Sequence, residues 1–535
     1  MAPLHYLSPR RAVAALCAGL VIWSLLTAAQ AAAPQLPGPA SSTRTAPTLA
    51  TQIDSIIGEP RFAGADWGIA VVSLDSGRTL YAHKADQLFQ PASTAKLFTA
   101  AVALSELGPN YRIPTRVLTN GEIHNGRLDG PLVLYGMGDP TLGADAATAQ
   151  WADQLATQLA GQGLRQVHGD LIADATYFAG PMMGTGWEAI DLQSWFAVPA
   201  TALSVDENQV DVTVTPAASA GQPAMLSFDP ADAMPSVVSE VRTSEARTRN
   251  DINLYRAPGE SVLYAFGNIA ARSPVQTYKL AVPDPARFAG NQLLQALARH
   301  GIKLDGKLTV LQWPRRDAVL AAQPRTLAEV LSPPLGEILQ RGLKRSQNLY
   351  LQNLLLLAGV KAQADAEQRD GYQGFITSER WGIRAMHQVL QQMGIAAATS
   401  LIEEGTGLSR RNLATPNAMA RLLAYLAAQP YAATLQAALP VAGVDGTLEW
   451  RMRKTPAENN VHAKTGSMAF VHCLAGYVTT ADGERLVFTI MLNNYDPPPG
   501  SPSGTRDVDA IAVVLAGLHS RGEAASPSVA THPAN

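Results

Sequence analysis

The sequence predicts a mixed α/β fold: one antiparallel sheet built from both ends of the chain, helices on its faces, and a long insertion between. Three observations carry this. Strand-like runs lie near the start, at Trp67–Leu74 and Thr79–Ala82, and near the end, at Phe470–Thr479 and Arg485–Asn493. Apolar residues with helical spacing follow Pro91, and another helical run covers Asp509–Leu518. Between these lie short strand-like runs (Leu132–Tyr135, Gly169–Ala173, Val210–Val214, Leu263–Phe266) broken by Gly, Pro and Asp turns.

Composition bounds the classes. With 535 residues, 47% hydrophobic and 16% charged, the chain is globular and long enough for two to four domains. A net charge of −3 and the lack of a basic stripe argue against a nucleic-acid partner. Arg10 and Arg11 precede an apolar run from Ala12 to about Leu26, and small residues follow at Ala29-Gln30-Ala31. That is the pattern of an export signal, and the run is short for a membrane span. A retained anchor would instead leave the protein peripherally tied to the membrane. Residues 32–48, rich in Pro, Ala, Ser and Thr, read as a linker, and 521–535 as a disordered tail. Cys17 lies in the signal, which leaves Cys473 as the single mature cysteine, an apolar-flanked core residue with no disulfide partner.

The elements follow in order. Asp75-Ser76-Gly77 turns the first two strands into a hairpin. Pro91 suits a helix start, Leu97, Phe98, Ala101, Val102 and Leu104 keep the helical phase, and Gly108-Pro109 ends it. That helix sets Ser93 and Lys96 one turn apart on one face. Asp482-Gly483 joins the last two strands.

Chemistry is carried by three short motifs in one order: Ser93-Thr94-Ala95-Lys96, Ser346-Gln347-Asn348 and Lys464-Thr465-Gly466. Taken singly, each is as well read as a helix cap, a loop cap and a turn before a strand. An S-x-x-K arises by chance about once or twice in such a length. All three together, in order and in suitable contexts, reverse that balance. They correspond to the S-x-x-K, S-D-N and K-T-G elements of penicillin-recognising serine enzymes. A serine hydroxyl needs a base within hydrogen-bond reach. Lys96 serves if it is neutral, and burial with a second cation, Lys464, lowers its pKa. Ser346 can relay a proton to the leaving amine, and Asn348 can orient Lys96 or the substrate amide. Lys464, Thr465 and Ser467 can hold a carboxylate, and the backbone N–H groups of Ser93 and Ser467 can form an oxyanion hole. No G-x-S-x-G or H-E-x-x-H occurs, the ten histidines are scattered, and His462 and His472 read as structural, so no metal or cofactor is expected.

Position 346 follows position 93 by 253 residues, far more than one fold needs to join a helix to a loop, so the segment is inserted material. With these residues in view, the chain resembles the D-alanyl-D-alanine carboxypeptidase/endopeptidase family, the class C low-molecular-mass penicillin-binding proteins. The likeness covers nearly all of the mature chain. It extends to Gly138-Asp139-Pro140-Thr141-Leu142, Gly169-Asp170-Leu171, Gly186-Trp187, Gly405-Thr406-Gly407-Leu408-Ser409-Arg410 and the run 439–448. The resemblance implies a penicillin-binding-protein and serine β-lactamase-like α/β domain at 49–100 and 303–520. It implies two inserted domains, one at 101–125 and 200–302, the other at 126–199. It also implies a pocket for the amino-acid end of a diamino-acid side chain, formed by Asp191, Phe196 and Arg410. Gln347, Glu404, Thr406 and Ser467 depart mildly from the usual pattern, which bears on specificity more than on activity.

The resulting expectation is an exported, periplasmic serine-type D-Ala-D-Ala carboxypeptidase or DD-endopeptidase. It would act on peptidoglycan stem peptides or cross-links through a Ser93 acyl-enzyme, with β-lactam antibiotics as covalent inhibitors. The alternatives are a β-lactamase, whose deacylating-glutamate pattern is not visible, and a non-hydrolytic β-lactam sensor, which would need a membrane span joined to a signalling domain.

Overall fold

The computed structural model describes residues 48–144, 147–234 and 236–519. The expected export signal (1–31), the linker up to 47 and the tail (521–535) lie outside the described residues.

A five-stranded sheet is the frame, and both chain ends build it. Its strands run in the order Thr79–His83, Asp66–Ser73, Arg485–Asn493, Val471–Thr479, His462–Met468, each antiparallel to its neighbours. Successive side chains of a strand point to opposite faces. Leu486, Phe488, Ile490 and Leu492 therefore pack on one side with Ile53, Ile511 and Leu515 of the terminal helices Leu49–Ile57 and Gly504–Ala516. Val487 and Met491 face the opposite side, in the cluster that holds Phe98 and Leu354. Both faces are covered, which is why Arg485–Asn493 is buried along all but its first residue.

The helix Lys96–Glu106 lies in that second layer, buried on every side from Lys96 to Leu104. An apolar sequence all round is what such a position demands. Burying Leu97, Phe98 and Leu104 contributes about 1.5–3 kcal/mol each. The helix begins later than Pro91 suggests, because a 3₁₀ turn, Ala92–Ala95, precedes it and carries Ser93. Against it packs the longer helix Asn348–Asp370, whose first twelve residues are all buried.

The expected inner strand runs each fall on a strand, at Leu132–Gly136, Leu171–Asp174, Gln209–Thr215 and Val262–Ala270. The first two belong to a mixed five-stranded sheet in the order Leu308–Leu311, Leu171–Asp174, Leu132–Gly136, Pro114–Thr119, Arg325–Leu331. Two expected boundaries thus cut through continuous structure. The helix Lys96–Glu106 runs past 100, and Lys303–Leu304, Leu308–Leu311 and Arg325–Leu331 pair with strands that precede 302. Strand pairing overrides the turn-rich look of 303–331, which local sequence alone does not assign to a sheet.

The two ends of the segment 114–331 lie side by side. Ser332 N donates to the Ile113 carbonyl (2.9 Å), Leu335 N to Tyr111 and Gly336 N to Pro109. The buried Ser332 hydroxyl accepts from Ile113 N (2.8 Å) and donates to the Pro333 carbonyl (2.7 Å). Ser332→Ala strands a buried N–H at this crossing and should cost about 1–3 kcal/mol. A denaturant midpoint unchanged from wild type would show that the crossing is held by other contacts.

Candidate functional site

The three motifs meet around two fully buried lysines. The Lys96 ammonium donates to Ser93 Oγ (2.9 Å), to Asn348 Oδ1 (2.5 Å) and to the Thr406 carbonyl (2.7 Å). Its three acceptors come from its own turn, the long helix and a separate loop. Lys464 Nζ donates to Ser346 Oγ (2.9 Å) and to the Thr465 carbonyl (2.9 Å). Thr465 Oγ1 donates to Thr447 Oγ1 (2.8 Å), and Ser467 stands exposed farther along the same strand. Direct contacts thus join Ser93, Lys96 and Asn348 in one group and Ser346, Lys464 and Thr465 in a second, and the charge of Lys96 acts on Lys464.

Local backbone explains the spacing. Ala92 and Ser346 both hold left-handed backbone, at φ 45° and φ 56°, where a residue with a Cβ is strained. The Ser93 turn is pressed between two glycines. A Cβ on Gly466 would lie 2.6 Å from the Pro91 carbonyl, and one on Gly407 only 1.9 Å from that of Ala92. The glycine of Lys-Thr-Gly is therefore the gap that lets the strand reach the serine turn.

Burial sets the charges. It brings the Lys96 pKa down to about 7, opposed by the carboxylate of Glu404. Burial also takes Lys464 well below its ordinary value, with added repulsion from Lys96 and Arg451. The two ammonium groups are therefore poised so that they need not both carry charge. Burial raises the Cys473 thiol, a backbone hydrogen bond from Leu492 opposes the rise, and Sγ donates to the Gln90 carbonyl (3.5 Å), in keeping with a core role.

Glu404 is the residue the sequence reading undervalued. It is fully buried and accepts from Thr406 N (2.8 Å), Thr406 Oγ1 (2.7 Å), Gly407 N (2.7 Å), Asn412 Nδ2 (2.6 Å) and the Trp187 indole N–H (3.1 Å). That cage aims the Thr406 carbonyl at Lys96. Gln352, one helical turn after Asn348, clamps the same loop by accepting from Gly405 N (2.7 Å). The i, i+4 phase from Asn348 was the signal for it. Gln347 turns away from the lysines and donates to Glu207 (3.0 Å), which also accepts from the Tyr350 hydroxyl.

The segment expected to bind a diamino acid lies beside this centre. Phe196 contributes its carbonyl, which accepts from Asn348 Nδ2 (2.6 Å). Arg410 Nε pairs with Glu188 Oε1 at 2.8 Å, a partner the sequence did not flag. Burial raises the Asp191 carboxyl, Glu188 adds to the rise and Arg410 opposes it. Asp191 sits within the 3₁₀ turn Ala189–Asp191 and caps no helix there. Among the described residues, no group of three or more His, Cys, Asp or Glu could hold a metal ion.

Comparison with known proteins places this geometry. The model of the D-Ala-D-Ala carboxypeptidase 3 (S13) family matches residues 49–516. A D-alanyl-D-alanine carboxypeptidase from an Actinomadura species is 33% identical over 95% of this chain and 90% of its own length. D-alanyl-D-alanine carboxypeptidase DacB of Haemophilus influenzae is 29% identical over 81% of this chain and 86% of its own. The crystal structure of penicillin binding protein 4 (dacB) from Haemophilus influenzae superposes with a TM-score of 0.73 at 27% identity, covering 86% of this chain and 98% of that one.

Glu404→Gln removes the carboxylate that opposes the fall of the Lys96 pKa and sets an amide NH₂ among donors. Lys96 should titrate below about 7, and stability should fall by about 1–3 kcal/mol. NMR titration of ¹³C-labelled lysine reads the midpoint, and an unmoved midpoint would remove Glu404 from the electrostatics of the site.

Proposed function

Because the chain belongs to the D-Ala-D-Ala carboxypeptidase 3 (S13) family, we propose that its D-Ala-D-Ala carboxypeptidase activity proceeds through an acyl-enzyme on Ser93. The observation that carries this reading is the 2.9 Å contact between the Ser93 hydroxyl and an ammonium buried until it titrates near neutrality. Neutral Lys96 takes the hydroxyl proton as Ser93 Oγ attacks the carbonyl of the penultimate D-Ala. The N–H groups of Ser93 and Ser467 stabilise the oxyanion, and the Ser346–Lys464 pair delivers a proton to the departing amine. The terminal carboxylate of the substrate lies against Lys464 and Thr465, restoring the positive charge that burial disfavours on Lys464. The proton held by Lys96 passes to the Ser346–Lys464 pair to replace the one given to the amine, so Lys96 is neutral again; it then deprotonates the water that attacks the acyl group and returns that proton to Ser93 Oγ as the acid leaves.

The same site serves cross-links, whose leaving group is the side-chain amine of a diamino acid, so DD-endopeptidase activity belongs to the proposal. Asp191, Phe196 and Arg410 would receive the amino-acid end of the diamino-acid side chain of the acyl-donating stem, whose amine is free. A β-lactam presents a carboxylate and a strained amide in the same relation, and the Haemophilus influenzae relative has been solved in complex with one. We therefore include covalent penicillin binding at Ser93. The substrate class, together with Arg10-Arg11 and the apolar run behind them, supports export to the periplasm by a signal peptide. Among the described residues no helix is long and apolar enough to cross a membrane.

The central test is the rate at which a labelled penicillin acylates the protein as pH is varied, with Ser93→Ala as the blank. The Lys96 pKa is lowered to about 7, so the neutral base becomes more abundant as pH rises, and acylation should climb between about pH 6 and 8. The Ala variant should take no label. Label on Ser93→Ala, or a rate that falls across this window, would defeat the assignment.

Asp191→Asn tests the neighbouring pocket. A lost charge-assisted contact should lower kcat/KM on diaminopimelate-containing peptides about tenfold or more, while penicillin, which has no matching ammonium, is acylated as before. Equal losses on both ligands would make Asp191 a structural residue.

A further inference from the structure

The segment 182–200 is closed at its base by Ala200 N donating to the Met182 carbonyl (2.7 Å). One flank brings Glu188, Asp191 and Phe196 to the lysine centre. The other flank, through Leu192, Gln193 and Pro199, forms one wall of a cavity of about 370 Å³, whose opposite wall is the turn 256–261.

A guanidinium without a counter-charge lies in that cavity. Arg256 Nε is buried and has no partner, and Nη2 donates only to the Ala281 carbonyl (3.0 Å). Two acids reach the lining, and neither pairs with it. Asp284 is occupied at the start of the helix Pro285–Arg299, where it accepts from Arg287 N (3.0 Å) and Nε (3.3 Å), and Glu260 stands exposed in the turn. Burial is the sole influence on Arg256, and it disfavours the charge. Folded proteins pair a buried cation or use it. Gln193 Oε1 accepts from Arg256 N (2.7 Å), which leaves its NH₂ as a second donor on the same wall, and Ser261 and Gln312 add polar groups. A planar fork with a neighbouring amide donor suits a carboxylate.

We propose that this cavity is a carboxylate-binding subsite, filled by the terminal carboxylate of the second stem peptide when a cross-linked substrate lies across the site. The proposal of a cross-link rests on the reading in the preceding subsection; the carboxylate chemistry does not. Asp191 and Gln193 are two residues apart in a turn, where Ser194 N donates to the Asp191 carbonyl (2.8 Å), so their Cα atoms lie within about 7 Å of each other. One short peptide can therefore place an ammonium at the first and a carboxylate at the second.

The experiment has two arms, each run on wild type, Arg256→Gln and Arg256→Lys. In the first, acetate is titrated against melting temperature, with chloride at equal ionic strength as the reference. Acetate should stabilise wild type, stabilise Arg256→Lys in part, and leave Arg256→Gln unmoved. Without acetate, Arg256→Gln should melt no lower than wild type, since it removes a half-buried guanidinium with no acidic partner; a marked loss would make Arg256 a structural residue and overturn the subsite. In the second arm, a cross-linked muropeptide dimer is compared with the same dimer amidated at the terminal carboxylate of its second stem. Amidation should lower kcat/KM about tenfold in wild type and have no effect in Arg256→Gln. Acetate binding through Arg256 with no effect of amidation would overturn the second stem as occupant and leave a site for small free carboxylates. No response in either arm overturns the subsite. A protein that cleaves no muropeptide defeats the preceding reading, and the acetate arm still decides this one.

Discussion

An ammonium ion taken wholly out of water must be surrounded by oxygen, and this requirement at Lys96 organises the molecule. Its three acceptors arrive from positions 93, 348 and 406, so the serine turn, the long helix and the loop 404–407 must all dock before the charge is satisfied. The loop in turn depends on the Glu404 cage and on Gln352, and Thr99 of the helix Lys96–Glu106 ties it down by donating to the Gly405 carbonyl (2.8 Å). Burial that would otherwise be a large cost becomes, through incomplete compensation, the means of holding a lysine near neutrality.

The strain in this region has a consistent location. Ala92 and Ser346 adopt left-handed backbone immediately beside the two hydroxyls that touch the lysines. Such conformations persist only where the surroundings dictate them. At Ala92 the surroundings are Gly407 and Gly466, whose missing side chains let backbone approach backbone. The serine is presented by a compressed turn rather than by the helix proper, so its position is set by neighbours on both sides.

Much of this was legible in the sequence because the sheet frame rests on short apolar runs bounded by turns and the motifs sit at its junctions. The run Arg485–Asn493 is a strand at the bounds its pattern gives, and the Ser93–Lys96 spacing delivers the contact that one helical turn implies. Glu404 was noted only as a departure from a pattern. Its role depends on donors from positions 187, 406, 407 and 412, a convergence with no local signature. The strands at 303–311 and 325–331 were missed for the same reason: their partners lie far upstream, and pairing rather than propensity makes them strands. Glu188 was hidden because an exposed acid in a loop looks like any other until Arg410 is found beside it.

The side-by-side chain crossing at Ile113 and Ser332 has an evolutionary reading. A cassette whose two ends meet can be gained or exchanged without rethreading the host, since the gap it leaves is already closed by backbone pairing. Yet the cassette now supplies the Phe196 carbonyl to Asn348, Glu207 to Gln347, and the Trp187 indole to Glu404. Topology keeps it detachable while chemistry has made it indispensable. Closing the gap would therefore not be enough to lose the segment, because its loss would also take the acceptor and donors that hold Asn348, Gln347 and Glu404.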